Sequence, residues 1–156
     1  MNVKDVMTGT PYYCGLGTNL GSAVELMWNG NCGFLPVVDP EGRVAGVITD
    51  RDICIALATR GKPAGEIAVG DVVTRNLFSC KPEEDVHMAL KTMREAKVRR
   101  LPVIAQDGGL IGIVSMDDLV MHAGREPALT CDEVVKTYQA VMQRRAPALY
   151  RGGAVA

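Results

Sequence analysis

Gly46-Val47-Ile48-Thr49-Asp50-Arg51-Asp52 returns 66 residues later in this chain as Gly112-Ile113-Val114-Ser115-Met116-Asp117-Asp118. Two further blocks keep the same offset, since residues 3–8 return as 69–74 and residues 35–38 return as 101–104. Three blocks at one offset, without a gap between them, indicate a tandem duplication. The chain therefore holds two copies of one unit of about 55 residues.

Each copy predicts the element order strand, helix, strand, strand, helix. Short extended pieces come first, at 12–14 and 77–80. The first helix is predicted from apolar residues at helical spacing, which are Leu20, Val24 and Met27 in one copy and Val86, Leu90 and Met93 in the other. In the second copy Pro82 fits the first helical position. A hairpin follows, at 34–38 and 44–48 in the first copy, and a helix over 50–58 closes the unit.

The two copies are expected to pack against each other. A unit of this size is marginal on its own, so each copy gains by burying its sheet against the other. The hairpin strands are apolar on nearly every residue, which predicts a sheet covered on both faces. The result is an α/β fold in which two β-α-β-β-α units are related by a pseudo-twofold axis, with two equivalent clefts between them.

The predicted boundaries are 1–62 for the first unit, 63–125 for the second and 126–156 for a C-terminal segment. That segment contains a helix over about 130–145, followed by a frayed tail from residue 146 onward. One face of the helix is predicted to carry Val134, Tyr138, Val141 and Met142.

Composition excludes several classes of protein. The 156 residues carry a net charge of −1 and only 4% aromatic side chains, which argues against binding nucleic acid through phosphate neutralisation or base stacking. The chain has neither an apolar run of membrane-spanning length nor the features of a signal peptide. Its five cysteines form no CxxC pair, which favours reduced thiols in the cytoplasm. Cys14 and Cys80 are predicted to be buried free thiols, and Trp28 is interpreted as a packing residue.

The repeated motif Gly-apolar-apolar-[Ser/Thr]-x-x-Asp has two interpretations. In the first it is a capping box, in which Thr49 and Asp52 satisfy backbone N–H groups at the start of a helix. In the second the helix N-terminus and its hydroxyl receive a phosphate while the carboxylate binds a ribose. Gly46 and Gly112 let a ligand or another strand approach the backbone closely.

The whole pattern strongly resembles the CBS domain, named for cystathionine β-synthase. The residues that carry the resemblance are Val-x-Asp-Val-Met-Thr at the start of the unit, Leu-Pro-Val-Val-Asp, and Gly-Val-Ile-Thr-Asp-Arg-Asp. Two such units in tandem resemble a Bateman module and cover about 120 of the 156 residues. The resemblance implies a regulatory module that binds AMP, ADP, ATP, S-adenosylmethionine or a related adenosyl ligand in the clefts between the units. It also implies a homodimer.

The resemblance assigns equivalent residues of the two copies to equivalent roles. Ribose is assigned to Asp52 and Asp118, the ribose or phosphate to Thr49 and Ser115, and the base to Val47 and Ile113. The residues just before the first hairpin strand are also implied, here Cys32 and Gly33 in one copy and Val98 and Arg99 in the other. Thr10 and Asn76 are expected to complete each base pocket from the opposite copy.

The two clefts are expected to differ. Arg99 and Arg100 stand where the first copy has Gly33 and Phe34, and guanidinium forks suit phosphate. Arg51 aligns with Asp117, so the two helix starts also differ in charge. We expect one strong site and one weak or empty site, and the sequence leaves open which cleft is the stronger.

The sequence predicts a cytoplasmic, non-enzymatic adenine-nucleotide sensor. It shows no catalytic constellation and no metal-ligand spacing, and it predicts no required cofactor. Because about 30 residues remain outside the repeat, the output is expected to pass through a partner protein or through the protein's own dimer. The alternative is a dimerising scaffold that binds no ligand, in which the motif only caps helices.

Overall fold

The computed structural model describes residues 1–125 and 128–143. The α-helices are α1 (Leu20–Asn29), α2 (Asp50–Arg60), α3 (Val86–Ala96), α4 (Met116–His122) and α5 (Cys131–Met142). The strands are β1 (Thr8–Gly9), β2 (Cys14–Gly15), β3 (Phe34–Val38), β4 (Val44–Thr49), β5 (Arg100–Ile104) and β6 (Leu110–Ser115). Three 3₁₀ turns complete the described elements, at Val3–Asp5, Ala64–Glu66 and Val69–Asp71. The predicted α/β class is confirmed, and so is the element order within the first copy. In the second copy the strand predicted at 77–80 is reduced to an isolated bridge between Cys80 and Val103.

Each sheet takes a short piece of chain from the other copy. The two sheets have the strand orders β1-β6-β5 and β2-β3-β4. β1 belongs to the first copy but pairs with β6 of the second, and Thr74 of the second copy bridges Val47 of the first. A Cβ at Gly46 would lie 2.5 Å from the carbonyl oxygen of Thr74, and one at Gly112 would lie 2.7 Å from that of Thr8. The two glycines therefore admit the exchanged strand.

Each hydrophobic core likewise includes residues from the other copy. Val3 and Val6 pack into the core of the second copy, whereas Ile67 and Val69 pack into that of the first. Backbone hydrogen bonds hold these segments, including one of 2.7 Å from Val69 N to the carbonyl of Thr18. Each core thus depends on a segment from the other copy. The unit boundaries at 1–62, 63–125 and 126–156 remain predictions.

The prediction that Pro82 opens a helix is wrong. α3 begins at Val86, and the Asp85 carboxylate caps it by accepting a hydrogen bond of 2.9 Å from His87 N. The residues before α3 bind the N-terminal segment instead, because the carbonyl of Pro82 accepts a hydrogen bond from Lys4 N at 3.0 Å. The exchanged N-terminal segment therefore fixes residues 82–84 outside the helix.

Two other expectations about burial are right only in part or wrong. The first hairpin is covered on both faces along β3, where Phe34 to Val37 are all buried, but not along β4, where Ile48 is buried while Val47 and Thr49 on the other face are only half-buried. That face borders the cleft between the copies. Trp28 is 85% exposed and does not pack in a core.

α5 packs on the second copy, against α3 and α4. Its buried residues are Val134, Thr137 and Val141, whereas Tyr138 and Met142 are exposed, so the predicted apolar face is right only in part. The tail predicted from residue 146 onward lies outside the described residues. No helix in the described part of the chain is long and apolar enough to cross a bilayer.

Candidate functional site

A cavity of about 350 Å³ opens between the two copies at the start of α2. We call it the Asp52 cleft. Its walls come from β3, β4 and the start of α2 on one side, and from two segments of the second copy on the other. The lining residues are Phe34, Val47, Thr49, Asp52, Thr74, Asn76, Phe78, Val98, Arg99, Arg100 and Pro102. Its volume falls within the range of small-molecule sites.

One oxygen of the Asp52 carboxylate completes a capping box. Asp52 Oδ2 accepts hydrogen bonds from Thr49 N at 2.9 Å and from Thr49 Oγ1 at 2.8 Å. Thr49 Oγ1 in turn accepts from Asp52 N at 3.2 Å. The capping interpretation is therefore confirmed. Oδ1 of Asp52 has no hydrogen-bond partner among the described residues, so the same carboxylate retains a free acceptor.

The equivalent carboxylate in the second copy is more fully engaged. Asp118 Oδ2 accepts from Ser115 N at 2.8 Å and from Ser115 Oγ at 2.6 Å. Thr8 Oγ1 of the exchanged strand also donates to Asp118 Oδ1 at 3.4 Å. In the described part of the chain, Thr74 makes no such bond to Asp52. The pseudo-symmetry is therefore broken at the carboxylates themselves.

The charged residues around the two clefts also differ. Arg99 is exposed and Arg100 is half-buried, and both line the Asp52 cleft. Within residues 1–125 and 128–143, neither guanidinium has a carboxylate partner within 4.0 Å. The corresponding positions on the other side of the pseudo-twofold are Gly33 and Phe34, which carry no charge. The Asp52 cleft thus combines two free cations with the N-terminus of α2, a combination that attracts anions.

The structure brings together one set of the predicted site residues and separates the rest. Those that line the Asp52 cleft are Val47, Thr49, Asp52, Asn76, Val98, Arg99 and Arg100. Asn76 reaches it from the second copy, the side from which the family resemblance led us to expect it.

The other predicted residues lie elsewhere. Ile113, Ser115 and Asp118 stand together at the junction of β6 and α4, the pseudo-equivalent position. Cys32 and Gly33 line a different groove, between α1 and α2. Thr10 lines a third cavity, of about 740 Å³, with Tyr12 and Ile111.

Sequence reasoning missed four residues that line the Asp52 cleft: Phe34, Thr74, Phe78 and Pro102. A signal was available for Thr74, because it ends the repeated block 69–74 and therefore matches Thr8 at the offset of 66. Phe78 lies in the short extended piece at 77–80. Its contact with the cleft depends on the exchange of segments, which no local pattern shows.

The buried thiols take no part in this site. Burial raises the pKa of Cys14 to about 11, and burial together with the negative charge of Glu84 raises the pKa of Cys80 to about 12. Both thiols pack in the hydrophobic cores, one in each copy. The prediction of buried free thiols at these positions is confirmed.

Comparison with known proteins matches the chain to one family. The family model described as CBS domain matches residues 3–59 and again residues 69–124. A curated protein of Methanopyrus kandleri, MK0525, is 31% identical over 141 residues. The match covers 87% of this chain and 66% of that protein, so the chain spans slightly less than two thirds of this relative.

Solved structures of CBS pairs share the fold. The CBS domain pair of protein MJ0100, in complex with 5′-methylthioadenosine and S-adenosyl-L-methionine, has a TM-score of 0.70 at 26% identity, with 78% of this chain and 94% of that chain covered. CBSX2 in complex with AMP has a TM-score of 0.67 at 28% identity, with coverage of 77% and 93%. The ligands of these two neighbours all contain adenosine.

Proposed function

This chain belongs to the CBS domain family, with two domains in tandem, and we propose that it is a regulatory sensor of an adenine nucleotide or a related adenosyl ligand. The proposed binding site is the Asp52 cleft. The proposed sensor is non-catalytic, works in the cytoplasm, and acts through a partner protein or through its own homodimer.

One observation carries the proposal. A free acceptor on Asp52 and two guanidinium groups without carboxylate partners line a single cavity of about 350 Å³ at a helix N-terminus. In the proposed complex Asp52 Oδ1 accepts from the ribose hydroxyls, while Arg99 and Arg100 bind the phosphate. The base lies against Val47 and the residues that the second copy contributes. The adenosyl ligands of the two structural neighbours support this choice of ligand class.

Such a ligand could act on the whole module because residues of both copies line the Asp52 cleft. The proposed ligand would contact Asp52 in the first copy and Arg99 and Arg100 in the second. Neutralising the two cations would favour the arrangement in which the copies lie closest. The shift is limited by the difference in ligand affinity between the two arrangements.

The experiment is a thermal-shift panel with AMP, ADP, ATP, S-adenosylmethionine and NAD, with GTP as the control. A ligand at about 100 times its Kd stabilises the folded chain by about 2.7 kcal/mol. For a chain of this size we expect a rise in Tm of about 5–10 °C with at least one adenosyl compound. No rise with any adenosyl compound at millimolar concentration would contradict the proposal.

The alternative function is a ligand-free dimerising scaffold. The two complete capping boxes favour it, because they account for the repeated motif without a ligand. On this alternative every compound in the panel leaves Tm unchanged, and Asp52→Asn and Asp118→Asn lower stability by similar amounts.

A further inference from the structure

His87 joins the start of α3 to the start of α5. Its ring nitrogen Nδ1 contacts the carboxylate of Asp85, the N-cap of α3, and Nε2 lies 3.2 Å from Oε2 of Glu133 in the first turn of α5. A neutral imidazole carries one N–H group, whereas the imidazolium carries two. Both contacts are therefore hydrogen bonds only when His87 is protonated. We call this contact of three residues the His87 bridge.

The acidic side of the His87 bridge is well supplied with negative charge. The Asp85 carboxylate also accepts a hydrogen bond of 2.9 Å from His87 N and lies 3.7 Å from the amino group of Met1. The hydrogen bond from His87 N, together with that from the ring, holds the pKa of Asp85 below its usual value, so this carboxylate stays ionised at neutral pH. Two further acidic residues, 83–84, stand just before Asp85 in the chain.

The positive groups near the bridge leave both carboxylates to His87. On α5, Lys136 pairs with Asp132 at 2.7 Å and therefore does not compete for Glu133. On α3, Lys91 stands one turn after His87, and within residues 1–125 and 128–143 it has no carboxylate within 4.0 Å. The N-termini of the two helices oppose a cation at this place, but each is equivalent to only about half an elementary charge. The arrangement as a whole favours the imidazolium.

The other end of α5 is held by a contact of a different kind. Lys97 Nζ donates a hydrogen bond of 2.6 Å to the carbonyl of Ala140, in the last turn of the helix. Lysine side chains remain charged throughout the pH range in which histidines titrate. Loss of the proton from His87 therefore weakens the start of α5 and leaves its end attached.

The middle of α5 contains a group that disfavours docking. Thr137 is fully buried, and its hydroxyl has no hydrogen-bond partner among the described residues. A buried hydroxyl without a partner has lost its hydrogen bonds to water without replacement. Val134 and Val141 are the apolar side chains that α5 itself contributes to the core on either side of it. Such a helix opens more readily than one with a wholly apolar buried face.

The residues of the two polar contacts differ between the copies. At the offset of 66, the first copy has Asn19, Gly21 and Asn31 where the second has Asp85, His87 and Lys97. None of the three residues in the first copy can carry a charge on its side chain. α5 packs on the second copy, against α3 and α4. The charged residues therefore occur in the copy that carries α5, as a role in holding this helix requires.

We propose that the His87 bridge makes the docking of α5 sensitive to pH. With His87 protonated, both carboxylates are hydrogen-bonded and the start of α5 is held against α3. When the proton leaves, one ring nitrogen faces a carboxylate with no hydrogen between them, and α5 opens more often from its N-terminal end. Because proton uptake favours the docked state, docking is tightest at low pH and weakens as pH rises through the range in which histidines titrate.

The experiment is hydrogen exchange of the ligand-free chain, followed by mass spectrometry at pH 5.5 and pH 8.0. The quantity compared is the protection factor of the amides of residues 134–142, which divides out the intrinsic effect of pH on exchange. We expect protection at pH 5.5 to exceed that at pH 8.0 by about three- to tenfold, the range that two partly exposed ion pairs allow. His87→Gln is expected to remove this difference.

Matched variants test whether the bridge is the cause. Glu133→Gln is expected to reduce the pH difference, because it removes the carboxylate that faces Nε2. Asp132→Asn is the control, since Asp132 lies beside Glu133 in the same turn of α5 but pairs with Lys136. His122→Gln is the control for the other histidine of the chain, whose Nδ1 contacts the carbonyl of Asp118 within α4. Both control variants are expected to keep the difference.

Thr137→Val tests the weak point in the middle of the helix. It is expected to raise the protection of residues 134–142 by about threefold or more at both pH values, because it removes a buried hydroxyl that has no partner. The ratio between the two pH values is expected to stay as in the parent chain. Lower protection in this variant would show that the hydroxyl is bonded in the docked state, and would contradict a weakened buried face.

Three results would overturn the proposal. The first is equal protection of residues 134–142 at pH 5.5 and pH 8.0 in the parent chain. The second is a pH difference in His87→Gln as large as in the parent, because another group would then be its source. The third is an equal loss of the difference in Glu133→Gln and Asp132→Asn, which would point to the charge of the first turn and not to the contact with His87.

Discussion

At the scale of single residues, Asp52 shows why the sequence left two interpretations of the motif open. Capping and ribose binding both call for a carboxylate three residues after a hydroxyl, so the pattern cannot separate them. The structure gives the cap to Oδ2 and leaves Oδ1 free. The two roles are therefore compatible in one side chain, and a test must measure stability and ligand response separately.

Arg99 supplies a prediction about the phosphate. Arg99→Ala is expected to weaken AMP binding by about tenfold or more, because a hydrogen bond to a charged group contributes about 1.5–3 kcal/mol. Adenosine, which lacks the phosphate, is expected to bind both proteins within about twofold. Calorimetric titration measures both ligands, and Arg94→Ala is the control because Arg94 is exposed on α3 outside the cleft. An equal loss for adenosine and AMP would contradict a phosphate contact.

The cysteines supply a prediction about accessibility. Iodoacetamide at pH 8 is expected to modify Cys54 and Cys131, which are exposed, well before Cys14 and Cys80, which are buried with raised pKa values. Peptide mass mapping after timed labelling locates the sites. Rapid modification of Cys80 in the folded chain would show that the core of the second copy opens readily.

The same thiols predict a dependence of stability on pH. Their pKa values are raised from 9.0 to about 11 and about 12, so the folded chain holds these protons at a pH where the unfolded chain releases them. The free energy of unfolding is therefore expected to fall as pH rises from about 9 toward 11. Urea unfolding across this range checks the slope, which Cys80→Ala is expected to reduce. A slope unchanged in that variant would rule out this cause.

At the scale of elements, most boundaries of helices and strands could be predicted from the sequence, because each element of one copy has a counterpart at the same offset in the other. β3, β4 and α2 begin at the predicted residues, since apolar runs bounded by Pro40, Gly42 and the capping motif define them locally. The error at Pro82 has a non-local cause, because residues 82–84 bind the N-terminal segment. Trp28 was misjudged because it stands at a position of the helix that is exposed in both copies, as its counterpart Arg94 shows.

The capping box predicts a loss of stability at the start of α2. Thr49→Ala is expected to lower the free energy of unfolding by about 0.5–2 kcal/mol, because the side chain of Thr49 satisfies a backbone N–H of the first turn. Ser22→Ala is the control, since Ser22 is exposed on α1 and its side chain caps no helix. Urea unfolding measures both variants, and equal stability of the two would argue against the cap.

The docking of α5 predicts a larger effect. Leu129 is fully buried just before α5, so Leu129→Ala is expected to cost about 2–5 kcal/mol. Leu57→Ala, at an exposed position on α2, is expected to stay within about 0.5 kcal/mol of the parent. Chemical denaturation of both variants makes the comparison. A small cost at Leu129 would mean that α5 contributes little to the core.

At the scale of the whole molecule, the exchange of segments was the feature hardest to predict. The sequence placed Thr10 and Asn76 on the clefts of the opposite copies through the family resemblance. The exchanged strands themselves are only one or two residues long and carry no periodic pattern. Their partners are set by the close approach at Gly46 and Gly112. Because of the same exchange, Arg99 and Arg100 line the Asp52 cleft and not its pseudo-equivalent. The sequence could not show which of the two clefts holds these cations.

The most direct test of the account is calorimetric titration of AMP and S-adenosylmethionine into the parent chain, Asp52→Asn and Asp118→Asn. The account predicts that at least one of the two ligands binds the parent, that Asp52→Asn loses at least tenfold in affinity, and that Asp118→Asn stays within about threefold, with both variants folded by circular dichroism. The opposite order of the two variants would place the ligand in the other cleft. Absence of binding to the parent chain would contradict the nucleotide sensor itself.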